Sequence, residues 1–151
     1  MERLEIIIKI SAKMLASTGS NFGNGFHGRA QEAICCYGAH AYFACCAMCG
    51  AAAESILLAI AIKKVGDENK VLDTYMSKGG RGRIEHLIIG QAHGDIKKGF
   101  NASYDLLKYW RDCAAHGHQS GIQDNEAYTS LALLLRFTQF ASDNWDLLTN
   151  S

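Results

Sequence analysis

Residues 41–62, AYFACCAMCGAAAESILLAIAI, decide the fold of this chain. Glu54 is the one charged residue in the segment, and most of the others are apolar and small. A helix of this length can cross a bilayer. However, a carboxylate in mid-segment is costly there, and Ala, Cys and Gly contribute little to insertion. We therefore predict no membrane span but a buried central helix, against whose small residues other helices pack closely.

Helical patterns continue on both sides of this segment, and the chain contains no proline to interrupt them. Apolar spacing predicts helices over residues 2–16, 29–64, 67–77, 95–115 and 124–148, with one or two helical turns over residues 84–89. The glycine-rich stretch 17–28 is predicted as a loop, and residues 78–83 as a flexible basic loop. The sequence thus predicts an all-α fold, a single domain over residues 1–151 built as a bundle of four to five helices.

The charge balance limits how this protein can meet nucleic acid. Its formal net charge is zero, so no overall field attracts a polyanion. Any contact with RNA has to come from a local arrangement of cations.

Six cysteines are present, and five of them lie between residues 35 and 49. Two thiols on one helix rarely reach disulfide geometry, and the charged start Met1-Glu2-Arg3 does not look like a signal peptide. We expect free thiols in a cytoplasmic protein. Cys46 and Cys49 form one CxxC pair without the second pair of a typical zinc site, so we expect core thiols, with no metal and no cofactor.

Residues 111–117, RDCAAHG, hold the clearest chemical pattern. Arg111 is a permanent cation suited to phosphate, and His116 can exchange protons near neutrality. Asp112 and His116 are four residues apart and share a helix face. Arg111 and His116 point to different faces, and converge only if the last turn loosens at Gly117 or a second subunit supplies one of them. In the alternative interpretation, Arg111 and Asp112 are surface charges and His116 caps a helix end.

This pattern resembles the Arg-x4–6-His signature of the HEPN superfamily. The preceding helical residues 104–110, and the long Ala-rich helix that carries Glu54, are similar too. The resemblance implies a small, usually dimeric helical bundle. Many members are metal-independent ribonucleases, often toxins or defence effectors, whereas others have lost catalysis and serve as binding modules.

The residues suit RNA cleavage by the ribose 2′-OH without a metal. In this hypothesis His116 transfers protons, Arg111 stabilises the phosphate oxygens and Asp112 orients the imidazole. One imidazole cannot easily serve as base and acid on opposite sides of phosphorus, so we expect a composite site across a homodimer axis. The predicted partners are RNA, a second copy of the chain and an antitoxin or other protein. The alternative is a non-catalytic module that binds a nucleotide, RNA or a protein.

Further cations are candidates for contacts with an RNA backbone. They are His118, just beyond the motif, Lys108 on the motif helix, and Arg81 and Arg83 in the basic loop. For His118 and the basic loop the alternative is a solvated loop with no ligand.

Glu54 is expected to support the site rather than to react. A buried carboxylate needs a partner or must take up a proton. Arg111 is the first candidate, followed by Arg83 and His86, and the alternative places Glu54 unpaired on an exposed strip.

Overall fold

The computed structural model describes residues 2–17, 21–115 and 121–150, and the regular elements in these ranges are all helices. The all-α prediction is confirmed. The described residues form eight helices rather than the predicted four to five: α1 (Glu2–Ser17), α2 (Gly23–Gly38), α3 (Tyr42–Val65), α4 (Glu68–Met76), α5 (Gly80–Ile89), α6 (Gly94–Ala115), α7 (Asp124–Asp143) and α8 (Trp145–Thr149).

Helix α3 lies at the centre of the bundle and packs against α2, α6 and α7. Its large apolar residues Ile56, Leu57 and Ile60 are fully buried, each contributing about 1.5–3 kcal/mol through the hydrophobic effect. Among the described residues, α3 alone is long and apolar enough to cross a membrane, and 61% of its most apolar window is buried inside the protein. The predicted central helix is therefore present, and packing in the core accounts for its composition.

The predicted continuous helix over residues 29–64 is wrong, because the chain turns between α2 and α3. His40 adopts a left-handed conformation with φ of 61°. The backbone N–H of Ala41 donates to the carbonyl of Cys36 at 2.8 Å, which closes the turn. The break lets α2 pack along α3 and divides the five cysteines of residues 35–49 between these two helices. The loop predicted over residues 17–28 is also wrong at its ends, since Ser17 belongs to α1 and the chain is helical from Gly23 onward; residues 18–20 lie outside the described residues.

Helices α4 and α5 form a hairpin, called the α4–α5 hairpin below, where a flexible basic loop was predicted. Gly79 turns the chain with φ of 70°. A Cβ on Gly80 would lie 2.1 Å from the carbonyl oxygen of Tyr75, so only glycine lets α5 start against the end of α4. Arg81 and Arg83 are consequently residues of α5 rather than of a loop.

Helices α6 and α7 complete the bundle. The predicted helix over residues 95–115 is confirmed as α6, whereas the one over residues 124–148 is broken at Asn144. The side-chain amide of Asn144 donates to the carbonyl of Phe140 at 2.9 Å, and α8 starts afterwards. Helix α7 begins at Asp124, directly after Gln123. The Asp124 carboxylate accepts a hydrogen bond from the hydroxyl of Tyr37.

Candidate functional site

A close approach of α6 to α3 sets the position of Arg111. A Cβ on Gly50 would lie 2.2 Å from Cβ and 2.4 Å from Cγ of Arg111, and 3.3 Å from the carbonyl oxygen of Leu107. Leu107 is itself fully buried and anchors α6 in the core. The glycine in the central helix therefore makes room for the motif arginine, one helical turn before Glu54.

Glu54 binds groups from three different helices. It is 7% exposed. Its Oε1 lies 3.2 Å from Nη1 of Arg111 and 3.0 Å from Nη1 of Arg81, while Oε2 accepts a hydrogen bond of 2.8 Å from the Tyr75 hydroxyl. The predicted pairing of Glu54 with Arg111 is present, and the exposed-strip alternative is wrong. The other two predicted partners, Arg83 and His86, do not contact the Glu54 carboxylate. The second arginine that does contact it is Arg81.

Asp112 closes the arrangement on the side of the solvent. Arg81 donates to both of its oxygens, from Nη1 to Oδ1 at 3.3 Å and from Nη2 to Oδ2 at 3.1 Å. Nη1 of Arg111 also donates to Oδ1 at 3.3 Å. Each of the two Nη1 atoms thus touches one oxygen of Glu54 and one of Asp112. We call these four side chains the charge quartet.

Formal charges within the charge quartet cancel, two guanidiniums against two carboxylates. Burial raises the pKa of Asp112, but the hydrogen bonds from Arg81 and Arg111 outweigh it and hold that pKa below its ordinary value of 3.8. The hydrogen bond to Asp112 raises the pKa of Arg81 in return. Burial, then the hydrogen bond to Glu54, raises the pKa of Tyr75, so its hydroxyl remains a neutral donor.

The charge quartet lines an open groove of about 550 Å³. Its wall also includes Tyr75 and the start of α5, where Gly79, Gly80 and Gly82 present backbone without side chains. A ligand in this groove would meet the two guanidiniums and the Tyr75 hydroxyl together. Another groove of about 580 Å³ runs between the start of α2, α3 and Trp145, but its lining is mostly apolar and shares no residue with the first.

The structure brings together some of the predicted site residues and separates others. Arg81, Arg111, Asp112 and Glu54 meet in one cluster. His116 and His118 lie outside the described residues.

Two predicted RNA-contacting cations stand apart from the cluster. Lys108 forms an ion pair with Glu85 at 3.1 Å and lies over the ring of Tyr104. Arg83 is exposed and donates to the hydroxyl of Ser77 at 3.2 Å. Neither residue lines the groove of the charge quartet.

Tyr75 is the site residue that sequence reasoning missed. Its place in the site depends on the turn at Gly79 and Gly80, which brings the end of α4 beside the start of α5. A tyrosine near two glycines in a short helix carries no pattern that predicts a contact with Glu54.

The described residues contain no group of three or more His, Cys, Asp or Glu side chains arranged to hold a metal ion. Cys46 and Cys49 of the CxxC are fully buried in α3. Burial, the largest effect, raises the pKa of Cys46 to about 11, and the Sγ atom lies 3.4 Å from the hydroxyl of Ser130. These thiols therefore behave as small core residues.

No family model, no curated protein and no solved structure matches this chain.

Proposed function

We propose that this protein is a metal-independent endoribonuclease of HEPN type that acts as a homodimer. The observation that supports this most is the fixed position of the motif arginine. Arg111 packs across Gly50 and is held by the buried carboxylate of Glu54 at 3.2 Å, yet its side chain stays 32% exposed at the groove. A loose surface charge would have neither the tight packing nor the buried partner.

In the proposed reaction an RNA strand lies in the groove with one phosphodiester near Arg111. A base removes the proton of the ribose 2′-OH, the oxygen attacks phosphorus, and the bond to the 5′-oxygen breaks as that oxygen is protonated. The products carry a 2′,3′-cyclic phosphate and a 5′-hydroxyl. DNA is inert because it lacks the attacking group.

Each residue has a defined role in this proposal. Arg111 stabilises the charge that develops on the phosphate oxygens, usually the larger contribution to catalysis. His116 transfers protons, and Asp112 orients its imidazole. Two copies of the motif facing each other across a two-fold axis provide base and acid together. We further propose that the protein acts in the cytoplasm as a toxin or defence effector, under the control of an antitoxin or another protein partner.

One observation favours the alternative, a non-catalytic module that binds a nucleotide, RNA or a protein. Both guanidiniums of the charge quartet already have carboxylate partners, and formal charge in the groove cancels. A catalytic site needs at least one of these cations to be available to the substrate.

The test is incubation of purified protein with total RNA in EDTA, beside His116→Ala and the control His93→Ala. His93 is an exposed histidine between α5 and α6, outside the groove. We expect fragments with 2′,3′-cyclic phosphate ends from the unaltered protein and from His93→Ala only. No cleavage by any of the three would refute the ribonuclease and favour the binding module. Equal cleavage by all three would remove His116 from the site.

Light scattering on the same sample tests the dimer separately. A composite site requires a particle of twice the 16.5 kDa chain mass. A monomer that still cleaves RNA would refute the two-fold site while leaving the activity in place.

A further inference from the structure

We propose that Arg81 and Arg111 form a seat for one phosphate group of an RNA backbone, and that the carboxylate of Asp112 occupies this seat until the RNA binds. The inference deepens the proposed function and rests on it for the choice of RNA as ligand. Its chemistry, a phosphate that replaces an internal carboxylate, can be tested without any cleavage.

The two guanidiniums are held closer together than their like charges favour. Nη1 of Arg81 and Nη1 of Arg111 each lie 3.0–3.3 Å from the same two oxygens, Oε1 of Glu54 and Oδ1 of Asp112. Glu54 bridges them from the protein side and Asp112 from the solvent side. Because a guanidinium fork binds carboxylate and phosphate with the same two-point geometry, a phosphate can take the place of either acid.

The two carboxylates differ in how firmly they are held. The Glu54 side chain is 10% exposed and also accepts the Tyr75 hydrogen bond, whereas the Asp112 side chain is 36% exposed. An ion pair in contact with solvent contributes little free energy, while a buried one is costly to break. An incoming phosphate therefore displaces Asp112 and leaves Glu54 in place.

Displacement changes the charge of the groove. Without Asp112 the seat consists of two guanidiniums and Glu54, with a formal charge of +1 that faces the phosphodiester anion.

The shape of the groove favours a polymer over a compact anion. Its volume is about 550 Å³, more than one phosphate group fills, and the side chains of Met76 and Ser77 line it together with the backbone of Gly79, Gly80 and Gly82. A nucleotide chain can pass along this backbone while one phosphate sits between the guanidiniums.

The decisive experiment measures binding of a fluorescently labelled 2′-O-methyl RNA, which cannot be cleaved by 2′-OH attack. Asp112→Asn removes the competing carboxylate, and we expect it to bind about two- to fivefold more tightly than the unaltered protein. Asp105→Asn, at an exposed position of α6, makes the same change in net charge and is the control. Adding Arg81→Gln to Asp112→Asn should abolish the gain.

Equal binding by Asp112→Asn and the unaltered protein overturns the proposal, and so does an equal gain in Asp105→Asn. An acidic peptide bound as tightly as the RNA overturns phosphate as the ligand. If Asp112→Asn binds inorganic phosphate more tightly but binds RNA no more tightly than the unaltered protein, displacement of the carboxylate is supported. The RNA backbone is then refuted as the ligand.

A measurement on the unaltered protein keeps the proposal testable if Asp112→Asn does not fold. In a titration with inorganic phosphate followed by NMR, the Nε–H signals of Arg81 and Arg111 should shift together. Arg136, exposed on α7, is the reference and should not move. No shift of the first two signals, with phosphate or with the RNA, overturns the seat. If the unaltered protein binds the RNA but does not cleave it, only the proposed ribonuclease activity is refuted.

Discussion

Gly50→Ala tests the packing that positions the motif arginine. The added methyl would lie 2.2 Å from Cβ of Arg111, whereas carbon atoms in contact are about 3.5–4.0 Å apart. Helices α3 and α6 must therefore separate locally by about an ångström or more. Overpacking of this kind costs about 1–3 kcal/mol. Alanine recovers about 0.5–1 kcal/mol relative to glycine inside a helix, so we expect a net loss of about 1–2 kcal/mol.

Thermal and urea unfolding followed by circular dichroism measure this loss, which corresponds to a fall in Tm of about 2–8 °C. Gly28→Ala is the matched control, because this position in α2 has nothing within 4 Å of a new Cβ. There alanine should stabilise the protein by about 0.5–1 kcal/mol. Gly50→Ala is thus expected to lower the free energy of unfolding and Gly28→Ala to raise it. A Gly50→Ala protein that melts at or above the unaltered protein refutes the close approach of α6 to α3.

Three further predictions concern ionisable groups. Glu54→Gln leaves both arginines with one carboxylate and should lower the free energy of unfolding by about 1–3 kcal/mol, a range discounted for the partial exposure of the arginines. The exposed control Glu32→Gln should change the free energy of unfolding little. Equal losses in the two variants would contradict the buried pairing of Glu54. Because the pKa of Asp112 is lowered on folding, its contribution to stability is complete well above 3.8 and is lost as the pH falls through its folded pKa. The difference in the free energy of unfolding between the unaltered protein and Asp112→Asn should therefore shrink in acid. A difference independent of pH would contradict the lowered pKa of Asp112. Dithionitrobenzoate should modify the exposed Cys35 quickly and the buried Cys46 only in denaturant; equal rates in the native protein would show that α3 is not buried.

The turn between α2 and α3 could not be predicted from the sequence. Apolar periodicity runs through residues 29–64 and does not record the left-handed conformation of His40. Three consecutive non-helical residues, Ala39, His40 and Ala41, reverse the chain, and no side-chain pattern at these positions indicates it. The number of helices was underestimated for this reason, because of the break at Asn144, and because α5 is a full helix where only one or two turns were predicted.

Arg81 illustrates the same limit at the site. Three glycines among residues 78–83 are typical of a flexible loop, and the sequence placed Arg81 there as a mobile RNA contact. In the structure Gly80 packs against the end of α4, and the guanidinium binds two carboxylates from α3 and α6. These contacts order a segment whose local composition favours disorder.

The sequence by itself determined the helical class, the central helix and the need of Glu54 for a cation. Each of these follows from local composition, because a long apolar segment has to be buried and a buried carboxylate has to be neutralised. Only the tertiary structure decided which cations meet it. Arg81 lies 27 residues beyond Glu54, and Arg111 lies on another helix. Their distance from Glu54 depends on the approach of α6 at Gly50 and on the turn of the α4–α5 hairpin, since Coulomb attraction selects among charges only after packing has brought them close.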